Sequence, residues 1–231
     1  MAHLSEKQLT KFRILREKRN DYVRRNVMYI QKKQIIRGMA IAVTIGILFD
    51  FTGINVSAKY YGINAAQYAI DNVKDGNPSY YNPNYYRADR DCTNFVSQCL
   101  EAGGKQRTGA GTGYSDMSVW HPHRTTWENA NNFKKYWKKR CNNFSSYNIT
   151  NIETLNRNLY DNYWSGDIIQ YATADDVAHH SQIIIGQKSY NGQASLRMAQ
   201  HTSDDKHISL LQYLSTTGYK KIKVFKFNTW K

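Results

Sequence analysis

Proline is scarce in this chain, 3 in 231 residues, while tyrosine is abundant at 18. That balance argues against a disordered chain, because aromatic burial at this density offsets backbone entropy. Cysteine is scarce too. Cys92, Cys99 and Cys141 are an odd set of three with no CxxC pair, so at least one thiol stays free and no disulfide framework is expected. On one helix Cys92 and Cys99 would stand about 10 Å apart, too far for a bridge. HExxH spacing is also missing. His121-Pro122-His123 together with His179-His180 is the nearest approach to a zinc set, and without HExxH or CxxC we expect no metal and no cofactor.

Acidic residues are the remaining deficit, 18 Asp and Glu against 32 Lys and Arg, a formal charge of +14. Such an excess invites a polyanion: nucleic acid, anionic lipid or an acidic wall polymer. Its distribution narrows the choice. Residues 1–58 hold 11 basic and 4 acidic side chains, a net of +7, and residues 59–231 hold 21 and 14, again +7. Half the excess thus lies in an appendage, and no nucleic-acid motif accompanies it, so nucleic acid is not an expected partner.

The appendage contains the one long apolar run, about residues 38–56, which follows a dense basic stretch and is interrupted only at Asp50. It reads as a signal or anchor helix, and Val56-Ser57-Ala58 has small residues where cleavage would fall. Cut or retained, it places everything after residue 58 outside the cytoplasm. We therefore expect two parts. Residues 1–58 are a basic segment with a membrane-directed hydrophobic helix, and residues 59–231 are a catalytic-size domain, secreted or anchored by that single helix.

Within residues 59–231 the spacing predicts a helix over 63–73, a tyrosine-rich loop over 80–86 and an amphipathic helix from Cys92. The last has apolar residues at 92, 95, 96, 99 and 100, Asp91 as its cap and Gly103-Gly104 as its stop. An aromatic helix over 127–137 and another over 152–159 follow. Strands are expected at 167–171, 181–185, 196–200 and 221–227. Helices first and strands after predict an α+β fold with helices packed on an antiparallel sheet.

A cysteine at a helix start is favoured as a nucleophile, since the unpaired N–H groups there stabilise a thiolate and an oxyanion. Cys92 has that position. His180 heads a predicted strand and is the candidate base, with His179 the alternative if the register shifts by one. The next strand returns Gln200 and His201 beside it, and pleating allows only one of the two to serve. Asp91 and Asn94 flank the nucleophile, and Tyr86 belongs to a loop that can line a substrate groove. Cys99 reads as core and Cys141 as a surface thiol.

The segments DCTNFVSQCLEAGG (91–104), WENANNFKKYW (127–137), GDIIQY (166–171), HHSQIIIG (179–186) and QHTSDD (200–205) resemble, in order and spacing, the putative amidase domain family of Gram-positive bacteria. The resemblance implies a papain-like cysteine amidase fold related to NlpC-type and CHAP amidases. It also implies a Cys-His-polar triad of Cys92, His180 and His201, with Gln200 as second choice. The substrate it implies is a peptidoglycan peptide or similar amide. The alternative function is a non-catalytic wall- or surface-binding module that kept the fold and lost turnover.

Overall fold

A computed structural model describes residues 59–77, 81–88, 90–109 and 113–228. The expected signal or anchor helix at about 38–56 lies outside the described residues. Among the described residues no helix is long and apolar enough to cross a membrane.

Five strands form one antiparallel sheet: β1 Asn143–Asn148, β2 Ile168–Ala172, β3 Ala178–Tyr190, β4 Gln193–Ala199 and β5 Lys221–Lys226, in the order β1-β5-β2-β3-β4. Among the described residues six helices accompany it: α1 Gly62–Asp71, α2 Cys92–Ala102, α3 Thr125–Glu128, α4 Ala130–Trp137, α5 Ile152–Asn162 and α6 Leu210–Thr216. The fold is α+β.

Strand alternation divides the core in two. Ile168, Ile183 and Phe225 share a cluster with Phe95, Val96, Cys99, Leu100, Trp127 and Phe133, side chains of α2, α3 and α4. Their neighbours Ile169, Ile184 and Val224 turn to the opposite face and pack with Leu155, Leu159 and Leu214 of α5 and α6. The sheet is therefore covered on both faces. β2 is buried at every residue, as a central strand between two helical layers must be.

Four departures from the expected elements have identifiable causes. The aromatic helix is broken in two, because Asn129 adopts an extended conformation (φ −98°, ψ 123°) and its side chain accepts from Asn131 N and Asn132 N as the cap of α4. β3 and β4 run further than the apolar residues alone indicated. Asn191 and Gly192, at φ 50° and 77°, make the tight primed turn that carries the ladder out to Tyr190 and Gln193. β1 was not anticipated, since Asn143–Asn148 is a polar edge strand held by its pairing with β5. Nor was α6, two turns capped by Ser209 and lying between β4 and β5.

The entry to α1 is fixed by close backbone approach. Gly62 and Gly166 pack so tightly that a Cβ on Gly166 would collide with the Gly62 backbone. Tyr60 Oη donates to Gly166 O at 2.7 Å beside them.

Candidate active site

α2 is almost wholly buried from Cys92 to Leu100, so its first turn is delivered to a fixed place beside the sheet. Asp91 does not cap it. The Asp91 carboxylate accepts from Ala88 N (2.8 Å) and Asn94 Nδ2 (2.7 Å) and makes no bond to a helix N–H. This corrects the sequence reading of Asp91, and the cause is that the carboxylate is claimed by the chain before the helix. The first-turn N–H groups of α2 thus receive no side-chain cap.

β4 ends at Ala199, which pairs with Ile183, so β3 projects beyond it from Gln182 back to Ala178. Cys92 lies against this projecting part. Its thiol interacts with the Ser181 backbone and with Thr93 Oγ1, the latter at 3.7 Å. Burial pushes the thiol up, and the Thr93 hydroxyl with the Ser181 and Thr93 backbone groups pulls in the opposite direction. Burial outweighs them, a direction that favours the neutral thiol over the thiolate expected from the helix position alone.

His180 precedes Ser181 and is buried against Tyr171 and Tyr213, with ring centroids 6.0 and 5.8 Å away. Its Nε2 meets Gln200 Oε1 at 2.8 Å. The direction of this bond follows from a backbone carbonyl. Gln200 Nε2 donates to Ser203 O at 2.9 Å, which leaves Oε1 facing the imidazole as an acceptor. His180 Nε2 therefore carries the proton and Nδ1 carries the lone pair. Gln200 Oε1 accepts a second bond from Gln182 Nε2 at 2.5 Å, and Gln182 Oε1 accepts from Tyr171 Oη at 2.6 Å. Burial lowers the His180 pKa, and the bond to Gln200 raises it by less. Both directions favour the neutral imidazole and the neutral thiol.

His201, the first choice as the imidazole's partner, is held elsewhere. Its Nδ1 meets Asp91 Oδ2 at 2.5 Å, its Nε2 meets Asn72 O at 2.9 Å, and its ring stacks on Phe95 at 4.0 Å. Both nitrogens are engaged, one by Asp91 Oδ2 and the other by Asn72 O, so neither is free to meet His180. Pleating separates Gln200 from His201, and the geometry gives the place beside His180 to Gln200. His179 is exposed against Tyr219, 6.4 Å between ring centroids.

Asn94 is a bracket. Its Nδ2 donates to Asp91 Oδ1 and to Tyr86 O (2.5 Å), and its Oδ1 accepts from Trp127 Nε1 at 2.7 Å. Tyr86 itself is exposed, with its ring 5.4 Å from that of His123. Burial raises the hydroxyls of Tyr213 and Tyr219, and both stand near enough to Cys92 for a thiolate there to add to the rise. Cys99 is fully buried in the core, and Cys141 is half-buried with its thiol against Asn143 O, less exposed than its basic neighbours suggested. Among the described residues no three His, Cys, Asp or Glu side chains gather as a metal set.

Gln182 and Tyr171 were not anticipated, though a signal for Gln182 existed. It stands two residues from His180 on the same strand and so shares its face. Tyr171 is visible only through the β2–β3 register, which sets it opposite His180.

No curated protein and no solved structure matches this chain. A family model described as Putative amidase domain matches residues 59–227, which span all of the elements above. That activity class is the hydrolysis of an amide substrate. On a match covering most of its length, the chain belongs to the Putative amidase domain family.

Proposed function

We propose that the protein is a cysteine-dependent amidase or peptidase in which Cys92 is the nucleophile, His180 the general base and acid, and Gln200 the group that orients the imidazole. The observation that carries this reading is the conjunction at the projecting end of β3. A helix-start thiol rests against Ser181, and the adjacent His180 has its Nε2 proton committed to Gln200. That leaves Nδ1 as the basic atom, the tautomer a thiol nucleophile requires.

The reaction begins from a neutral pair. His180 Nδ1 takes the Cys92 proton as sulfur attacks the substrate carbonyl carbon, and the C=O π electrons move to oxygen. The first-turn N–H groups of α2, which carry no side-chain cap, are suited to that oxyanion. Collapse breaks the C–N bond, and the imidazolium returns its proton to the departing amine. The resulting thioester is cleaved by water, with His180 again accepting and donating one proton, which yields the acid and the free thiol. Throughout, Gln200 stabilises the tautomer, and Gln182 and Tyr171 hold Gln200.

We further propose that this constellation is papain-like and related to NlpC-type and CHAP amidases. The supporting pattern is a cysteine opening a buried helix, a histidine on a strand and a polar residue following the next strand. An apolar run after a basic stretch at about 38–56 supports action outside the cytoplasm, either secreted or anchored. There a cell-wall peptide is the amide we propose as substrate, with the membrane as partner of the N-terminal segment. Replacing Cys92 with Ala in the full chain is expected to abolish release of new amines and acids from purified peptidoglycan fragments, read by mass spectrometry, with circular dichroism unchanged. Retained turnover would overturn the assignment. A second reading, a binding module without turnover, draws on the burial that raises Cys92. It predicts retention on insoluble wall with no new termini from any wall chemotype.

A further inference from the structure

On the face of the sheet under α2, a row of buried polar side chains leads away from Cys92 and takes no part in the mechanism above. Gln170 of β2 donates from Nε2 to Ala130 O at 3.0 Å and to Ser181 Oγ at 2.9 Å. Ser181 Oγ lies 2.9 Å from Thr93 Oγ1, and Thr93 Oγ1 lies 3.7 Å from Cys92 Sγ. Gln170, Ser181 and Thr93 are all at most 1 % exposed.

A hydroxyl can donate or accept, so the direction of such a row is ordinarily open. Here a backbone carbonyl fixes one end, and a thiolate at Cys92 would fix the other. Ala130 O only accepts, which requires the Gln170 NH2 to face it, although Gln170 Oε1 then has no partner among the described residues. The other amide hydrogen goes to Ser181 Oγ. Ser181 accepts from Gln170. Once Cys92 is ionised its sulfur can only accept, so Thr93 donates to it and Ser181 donates to Thr93. With a thiolate present, reversal at Thr93 or Ser181 would set two acceptors face to face in a buried site.

We infer that Gln170, Ser181 and Thr93 form a one-way hydrogen-bond chain, anchored at Ala130 O, that presents a donor to Cys92 Sγ and stabilises its thiolate as the proton leaves for His180. The inference rests on the reading of Cys92 as nucleophile. Thr93 touches the reacting sulfur, whereas Ser181 and Gln170 are positioning residues that act through it. A donor to the charged form of a group favours ionisation, and cooperative polarisation along a chain strengthens its last bond. The thiol's burial is thereby opposed at the moment of attack.

The test is the pH dependence of Cys92 carbamidomethylation by limiting iodoacetamide, followed on the Cys92 peptide by mass spectrometry in the full chain. Turnover is not needed, so this readout stands apart from the Cys92→Ala test of the amidase reading. Thr93→Val removes the hydroxyl at constant shape and is expected to raise the alkylation midpoint by about one unit, a tenfold loss of thiolate at a given pH. Thr93→Ser should restore it. Ser181→Ala and Gln170→Leu should shift the midpoint the same way by less, because each frees the Thr93 hydroxyl to rotate. A parental midpoint in Thr93→Val, in Ser181→Ala, or a shift that Thr93→Ser fails to reverse, overturns the chain. If Thr93→Val fails to fold, Thr93→Ala against Thr93→Ser provides the same comparison.

Discussion

His201 Nδ1 and Asp91 Oδ2 meet at 2.5 Å, with both side chains buried, while the adjacent Gln200 turns to the other side of the strand and reaches His180. Neighbouring residues thus serve separate ends. One ties the loop before α2 and the end of α1 together through Asp91 and Asn72 O, and the other meets the imidazole.

The two substitutions should therefore separate. His201→Ala leaves a buried carboxylate without its partner and is expected to cost about 3 kcal/mol or more of stability, read by chemical denaturation. Gln200→Ala is expected to lower kcat by about 10²-fold with little change in KM, the scale of a lost contribution to general base catalysis. Equal stability of His201→Ala and the parent would refute the division.

Gln182→Leu removes the second donor to Gln200 Oε1 and leaves Tyr171 Oη without its acceptor. A kcat reduction of about tenfold is expected, with a stability loss of about 1–3 kcal/mol from the unsatisfied hydroxyl. Adding Tyr171→Phe should recover much of the stability and none of the rate. A double variant no more stable than the single would show that the network does not couple them.

The acid limb of kcat/KM should fall below pH 6.5, the ordinary histidine value, because burial lowers His180. The proposed mechanism requires the neutral imidazole, so activity is expected to rise as pH rises through that lowered value. The bond from Gln200 acts in the opposite sense, and its removal should move the limb lower still. A midpoint above 6.5 would instead indicate a resting thiolate–imidazolium pair.

Asp176, in the turn between β2 and β3, accepts from Lys134 and Lys223 with Lys221 3.7 Å away, and Lys223 holds its carboxyl down to about 2. A depressed carboxyl stabilises above its unfolded value and loses that contribution as pH falls through the folded one. The turn should therefore weaken between about pH 4 and pH 2, with a contribution near 1 kcal/mol because Asp176 is half exposed. Asp176→Asn should flatten the dependence of the denaturation midpoint over that interval. An unchanged slope would count against the lysine cluster as its source.

The amphipathic spacing from residue 92, the stop at Gly103 and a strand carrying His180 (though one that begins two residues before it) are all legible in the chain, because each depends on local periodicity and on residues adjacent in sequence. The broken aromatic helix at Asn129 and the polar edge strand β1 are not. The first needs the cap geometry, and the second exists only through pairing with β5.

The sequence by itself determined which residues could carry the chemistry: a cysteine at a helix start, a histidine on a strand, and a Gln200-His201 pair of which one could serve. The tertiary structure decided the rest. Where β4 stops relative to β3 puts Gln200 beside His180, while α1 and the Asp91 loop take both nitrogens of His201. It also brings Gln170 and Ser181 up to Thr93 and Gln182 up to Gln200, pairs that lie 11 to 88 residues apart along the chain. Periodicity assigns a side chain to a face, but its hydrogen-bond partner depends on register and on which acceptors the other elements leave open.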